Sequence, residues 1–215
     1  MILSTLKGAI DTAVEWLNAN VCSKISLKLP DDYKNDADYD VVMVNPTAFP
    51  LYIPGKDRLP PNIAAPIPSI CVQLMEGDDD LIGRKRKIQI RLCLACWNPG
   101  THSNELFLPR DNPDALGGVS YYRADGEVAQ AYTRNMDGWK DSINFADLTL
   151  RELENAEYLD GIRIVKEDGI KFGQFIEDGD DENVWDFYPY WHFWIRLTLE
   201  TGITQQTPAA YENYL

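Results

Sequence analysis

The residue types that most readily do chemistry are sparse in this chain, and their spacing narrows what they can do. Cys93 and Cys96 form a Cys-x-x-Cys pair. A zinc site would need two further ligands, with Cys22, Cys71, His102 and His192 as the available donors. The pair lies inside an alternating run, however, where residues three apart point to opposite faces of a strand. That geometry is poor for closing on one ion. It is equally poor for thioredoxin-type exchange, in which the cysteines sit at the start of a helix. The chain has only 2 histidines, which leaves little scope for acid–base work. No Gly-x-Ser-x-Gly, phosphate loop or His-Glu-x-x-His occurs. The expectation is a protein with no catalytic residues, no cofactor and no metal, and therefore not an enzyme.

Charge is grouped. Glu76–Asp80 and Glu177–Glu182 are carboxylate clusters. Paired carboxylates cleave glycosides only at a set separation and with one raised pKa, and both clusters read as solvated loops. Asp178-x-Asp180-x-Glu182 superficially matches a calcium loop, but Asn183 stands where glycine is needed and Pro189 where a chelating glutamate is needed. Arg84-Lys85-Arg86-Lys87 is the one basic run, and it faces Asp78-Asp79-Asp80 across the same turn. Local neutralisation is the plain reading. The sharper one is a bipolar hairpin tip that pairs with a neighbouring subunit. Asp78, Asp79, Asp80, Arg84 and Lys85 are then the candidate subunit interface, with opposite charges setting register.

The elements that would carry these residues follow from composition and periodicity. With 215 residues, 45% hydrophobic and 25% charged, the chain has globular composition. Its length predicts one domain over 1–202, with an arm at 45–68, an insertion at 98–124 and a tail at 203–215. The net charge of −14 and pI near 4.5 work against binding to a nucleic-acid backbone or an anionic membrane. No apolar run reaches the roughly 20 residues of a membrane span. Lys7, Asp11 and Glu15 break the apolar pattern that a signal peptide would need. Four cysteines are not a disulfide framework, and a reducing cytoplasm is expected.

Leu3, Leu6, Ile10, Ala13, Leu17 and Val21 recur at helical steps, which predicts a helix over 2–21. Seven prolines between 46 and 68 predict an extended arm crossing a surface. Ile70, Val72 and Leu74, then Ile88, Ile90, Leu92, Leu94 and Cys96, alternate as two strands joined through the turn Glu76–Asp80. A helix beginning near Asp125 has its better half headed by Asp137 as N-cap, with Trp139, Ile143, Ala146, Leu150 and Leu153 as the buried stripe. Asp168-Gly169 between Ile162–Glu167 and Ile170–Glu177 predicts a second hairpin. Tyr190–Glu200 is the last strand, with Trp191, Phe193, Ile195, Leu197 and Leu199 on one face. The order predicts an α+β fold, a mainly antiparallel sheet with helices packed on one face and extended arms.

Three blocks carry a resemblance: Pro68–Leu74 with the acidic turn and the strand Ile88–Trp97; Asp137-Gly138-Trp139-Lys140-Asp141 heading the helix to Leu153; and Tyr188-Pro189-Tyr190-Trp191-His192 leading into Phe193–Leu199. The chain resembles the tail terminator (tail completion) proteins of long-tailed phages and phage-like particles. That resemblance implies an α+β subunit of a hexameric ring that caps the finished tail tube and meets the neck of the head. The implied partners are further copies of the chain, the tail tube protein, a neck or connector protein and a sheath protein, with DNA only as passing cargo. The implied location is the virion tail and neck, assembled in the bacterial host cytoplasm. Another neck connector, or an acidic cytoplasmic enzyme with a dispersed site, are the alternatives. An acidic lumen would repel phosphates and let DNA slide.

Overall fold

The computed structural model describes residues 5–30, 42–98, 138–174 and 189–203, together with the backbone of 108–111 and 119–122. Helix α1 (Leu6–Asn20) starts where the Thr5 hydroxyl accepts a hydrogen bond from the Gly8 amide at 2.9 Å. Its buried stripe is Ala9, Ile10, Ala13, Trp16 and Leu17, closed by Val21. Leu6, expected on that stripe, is exposed, and Trp16 takes part in its place. Strands β1 (Leu27–Lys28) and β2 (Met43–Val44) form a short ladder of their own.

The main sheet has seven strands. It begins with β3 (Thr47–Pro50), which runs parallel to β4 (Ser69–Asp80). Strand β5 (Lys85–Trp97) pairs antiparallel with β4. Away from this sheet, β6 (Leu108–Asp111) and β7 (Val119–Tyr122) pair with each other. Helix α2 (Trp139–Asn155) follows, then β8 (Tyr158–Leu159), β9 (Ile162–Ile164), β10 (Lys171–Gly173) and β11 (Tyr190–Gly202). The order across the sheet is β3-β4-β5-β11-β9-β8, with β10 also paired to β11.

Helix α1 lies on β3 and β4 and also touches β8 at the far edge, so the sheet curls around it; α2 lies on β5 and β11. Both helices bury their apolar faces in one cluster with Ile70, Val72, Ile88, Ile90, Leu92, Leu94, Ile195, Leu197 and Leu199. The fold is α+β, and the helices share one face of a mainly antiparallel sheet. Among the described residues, no helix is long and apolar enough to cross a membrane.

Several expectations are corrected. The 45–68 segment is not wholly an arm: Thr47–Pro50 is an edge strand with Ala48 and Phe49 buried. Pro50 is tolerated there because an edge position loses no ladder bond. Glu76–Asp80 is not the turn but strand, and the turn is 81–84. The second hairpin is displaced. Asp160 and Gly161, at φ 43° and 98°, turn β8 into β9. Asp168-Gly169 instead closes a short 3₁₀ turn, and β9 and β10 both pair with β11 rather than with each other. Only glycine is left-handed at that second Asp-Gly, so it cannot make the tight turn that needs two such residues.

On α2 the buried stripe is Ser142, Phe145, Ala146, Leu148, Thr149 and Leu153; Trp139 is exposed and Ile143 and Leu150 are half-buried. Two hydroxyls occupy the stripe because each bonds back along the helix, Ser142 to the Trp139 carbonyl and Thr149 to the Phe145 carbonyl, both at 2.8 Å. Gly138 stands at the helix start. Leu3, the helix expected from Asp125, the cap Asp137, Glu177–Glu182 and the tail beyond Ile203 lie outside the described residues.

Candidate functional site: a projecting three-stranded arm

Strands β4, β5 and β11 run on beyond the helices. Past Leu74 the face that is buried further back comes into the open, and a bulge at Leu74/Glu76 shifts the register of β4 by one residue. The shift sets Asp78 opposite Lys87, Asp79 opposite Arg86 and Asp80 opposite Lys85. The pairing continues through Glu200 opposite Lys87 and Arg163 opposite Glu200. Asp78, Lys87, Glu200 and Arg163 thus form one row across four strands with alternating sign. Like charges directly opposite one another would destabilise such a ladder.

The contacts are specific. The Arg86 guanidinium donates from Nε and Nη2 to the two carboxylate oxygens of Asp79, each at 2.6 Å. That fork holds the Asp79 carboxyl below its ordinary value. Lys85 Nζ lies 3.2 Å and Arg163 Nη1 3.4 Å from Glu200 Oε1, while Lys87 Nζ lies 3.4 Å from Asp168. Arg163 also pairs with Glu167, whose carboxyl is held low first by its own backbone amide and then by this arginine. Asp80 caps the turn, its Oδ1 accepting from the amides of Ile82 at 3.1 Å and Gly83 at 2.8 Å. A Cβ on Gly83 would stand 2.2 Å from the Asp80 carboxylate, so a larger residue there would displace the side chain that caps the turn. Arg84 is left-handed at φ 51°, and its carbonyl accepts from the Ile203 amide at 2.9 Å.

All five candidate interface residues therefore sit at the end of this arm. Asp79 and Lys85 are engaged within the chain, and Asp80 builds the turn. Asp78 stands in the charged row, and Arg84 is exposed at the corner. Among the large hydrophobic side chains of the described residues, the most exposed are Leu81, at 79%, and Ile82, at 97%. Charge-based reading passed over them. The signal was available, since turns favour glycine, proline and short polar residues and this one carries two large aliphatics.

The opposite end of the same strands is closed by Asn98. Its amide donates to the Pro189 carbonyl at 3.0 Å, and its carbonyl accepts from Trp191 Nε1 at 2.8 Å. Its side chain donates to Asp141 at 2.6 Å and accepts from Lys28 Nζ at 2.7 Å. Burial lowers the Lys28 pKa, and Asp141 opposes that shift. A Cβ on Gly138 would fall 2.1 Å from the Asn98 carbonyl oxygen, which fixes glycine at the start of α2.

The cysteines separate as expected: Cys96 lies in the core, while Cys93 sits on the other face, opposite Cys71. His192 is exposed on that outer face, opposite Ala95. Among the described residues, no three histidine, cysteine or carboxylate side chains converge on a common point. His102 and the 177–183 cluster lie outside the described residues. No family model, no characterised protein and no solved structure matches the chain.

Proposed function

We propose that the chain is a structural subunit of a long-tailed phage or phage-like particle: a tail terminator that closes into a ring on the finished tail tube and joins it to the neck. The observation that carries this reading is the arm, a charge-zipped extension of three strands whose outermost residues are Leu81 and Ile82. Two large aliphatics stand in water at the end of this arm. They are suited to a pocket on a neighbour. A patch on one copy that meets a different patch on the next is a head-to-tail contact, and such contacts close into rings when the rotation allows.

In this reading each copy contacts two others in a hexamer, the tail tube protein below, a neck or connector protein above and a sheath protein where one is present. DNA passes through an acidic lumen as cargo. The particle assembles in the host cytoplasm, and the protein ends in the virion tail and neck.

The test is electron microscopy of particles assembled with Leu81→Asp/Ile82→Asp protein, beside a charge-reversed Arg84→Glu/Lys85→Glu protein. The apolar pair should be the stronger lesion, giving uncapped tails of uncontrolled length that fail to join heads. Normal tail length and head joining in both variants would overturn the arm as the ring contact. A purified chain that forms no ring on tail tubes would overturn the terminator reading itself.

A further inference from the structure

On the outer face of the sheet, away from the helices, Cys71 and Cys93 stand directly opposite one another in β4 and β5. Directly opposed residues of an antiparallel pair share a face and have Cα atoms about 4.5–5.5 Å apart. A disulfide accepts about 4.4–6.8 Å. The backbone spacing of this pair therefore falls within the range a disulfide accepts. Both are free in this structure.

Their surroundings differ in a useful way. Cys71 is buried, with Phe49 opposite it on β3. Cys93 is only half-buried, with Trp194 opposite it on β11. Cys93 donates from Sγ to Gln73 Oε1 at 3.3 Å, and the same oxygen accepts from Arg91 Nε at 3.0 Å and Nη2 at 2.8 Å. Loss of the thiol proton therefore leaves that oxygen satisfied by arginine, so oxidation strands no buried acceptor. Burial raises both thiols above the ordinary 9.0, that of Cys71 to about 11 with the Cys93 thiol adding to the rise, and the Arg91 guanidinium opposes the shift at both positions. The other two cysteines, Cys22 and Cys96, lie in the apolar cluster on the opposite face, beyond reach of this pair.

We infer that Cys71 and Cys93 form a dithiol site whose reactant is a small-molecule disulfide, with Cys93 as the entry and Cys71 as the resolving thiol. The Cys93 thiolate attacks one sulfur of oxidised glutathione, forming a mixed disulfide and releasing one glutathione thiolate. The Cys71 thiolate then attacks the Cys93 sulfur, forming the cross-strand disulfide and releasing the second glutathione. The protein loses two electrons and two protons, and the oxidant gains both. The product staples β4 to β5 at the base of the arm, and a thiol reductant reverses it.

The experiment is incubation of the full chain with oxidised glutathione, alkylation after denaturation, and peptide mapping by mass spectrometry. The expected product is a Cys71–Cys93 linked peptide, with Cys22 and Cys96 still alkylated. Cys71→Ser should stop at glutathione on Cys93, and Cys93→Ser should leave Cys71 a thiol. Four alkylated cysteines after exposure of the native chain to the oxidant, or a link between any other pair, would overturn the site. Glutathione found on Cys71 in the Cys93→Ser chain would overturn the assigned order of attack.

Discussion

The three central strands end in polar side chains at both ends, but the two ends are built on different physics. At the Asn98 end a few groups are drawn partly out of water, and each is held by a neighbour: Lys28 and Asp141 by the Asn98 side chain, Trp191 by its carbonyl. At the Asp79 end the charges are more numerous, more exposed and paired across strands. A buried polar group that loses its partner forfeits its full desolvation cost, whereas an exposed ion pair is worth about 0–1 kcal/mol because water replaces either partner. The near end is therefore a device for stability. The far end keeps its shape at little energetic consequence and leaves its apolar tip for another use.

The largest expected effect lies in the core that the near end borders. Phe145→Ala should lower unfolding free energy by about 3–5 kcal/mol in a urea titration, as deletion of a fully buried aromatic does. Leu150→Ala, at a half-buried position of the same helix, should cost less; a reversal of that order would move the buried stripe. Next comes Asn98→Ala. It removes hydrogen bonds to two charged groups; both bonds are only partly buried, so less than the full ~1.5–3 kcal/mol each is realised and a loss of about 2–4 kcal/mol is expected by the same titration. A loss no larger than that of an exposed substitution would erase the contrast between the two ends.

The third effect is pH-dependent and sets the exposed arm against the buried interior on opposite sides of neutrality. The Asp79 carboxyl ionises below its ordinary 3.8 when folded. Its contribution is complete above the unfolded value and is lost as pH falls through the folded one. Wild type and Asp79→Asn should thus differ slightly at neutral pH and converge in acid, as followed by thermal unfolding. The buried thiols act in alkali. Cys71 and Cys22 are pushed up from 9.0 to about 11 and about 12. Above pH 9 the unfolded chain then holds fewer protons than the folded one, so stability should fall as pH rises. The smallest effect belongs to the tip. Leu81→Asp/Ile82→Asp should change stability by no more than about 0.5 kcal/mol, the range of surface substitutions, even where assembly is lost. A larger loss in the isolated chain would mean that the tip packs on its own domain.

Much of this was legible in the sequence. Ile88, Ile90, Leu92, Leu94 and Cys96 alternate because one face of β5 is covered along its whole buried length, and β11 repeats the pattern for the same reason. Alternation reports cover, however, and not strand extent. Beyond Leu74 the side chains of β4 are exposed, so Glu76–Asp80 read as a turn although the strand continues, held by register with β5. The α2 stripe was rotated because Ser142 and Thr149 satisfy their hydroxyls within the helix and so enter the core without an apolar signature. Asp160-Gly161 and Asp168-Gly169 are identical in sequence, and tertiary pairing with β11 decided which became a hairpin. Strands β3, β6 and β7 were hidden by proline and by brevity. At the candidate site, the facing of acidic and basic runs was visible, but the partners Glu200, Arg163 and Asp168 come from distant chain segments that no local pattern announces.

Strand β11 is the last described strand to be synthesised, yet it lies in the middle of the sheet, between β5 on one side and β9 and β10 on the other. A ribosome therefore releases β4 and β5 as a ready hairpin, while β9 emerges paired only with the short β8 and β10 emerges with nothing to join. Until Tyr190–Gly202 leaves the exit tunnel, the long apolar edge of β5 stays open along thirteen paired positions, the kind of edge to which other nascent chains add. The strand that completes the sheet is also the one that carries Glu200 to Lys85. Closure of the domain and neutralisation of the arm's basic side are in this way a single late event of translation. A partly made subunit does not present the finished arm to its neighbours.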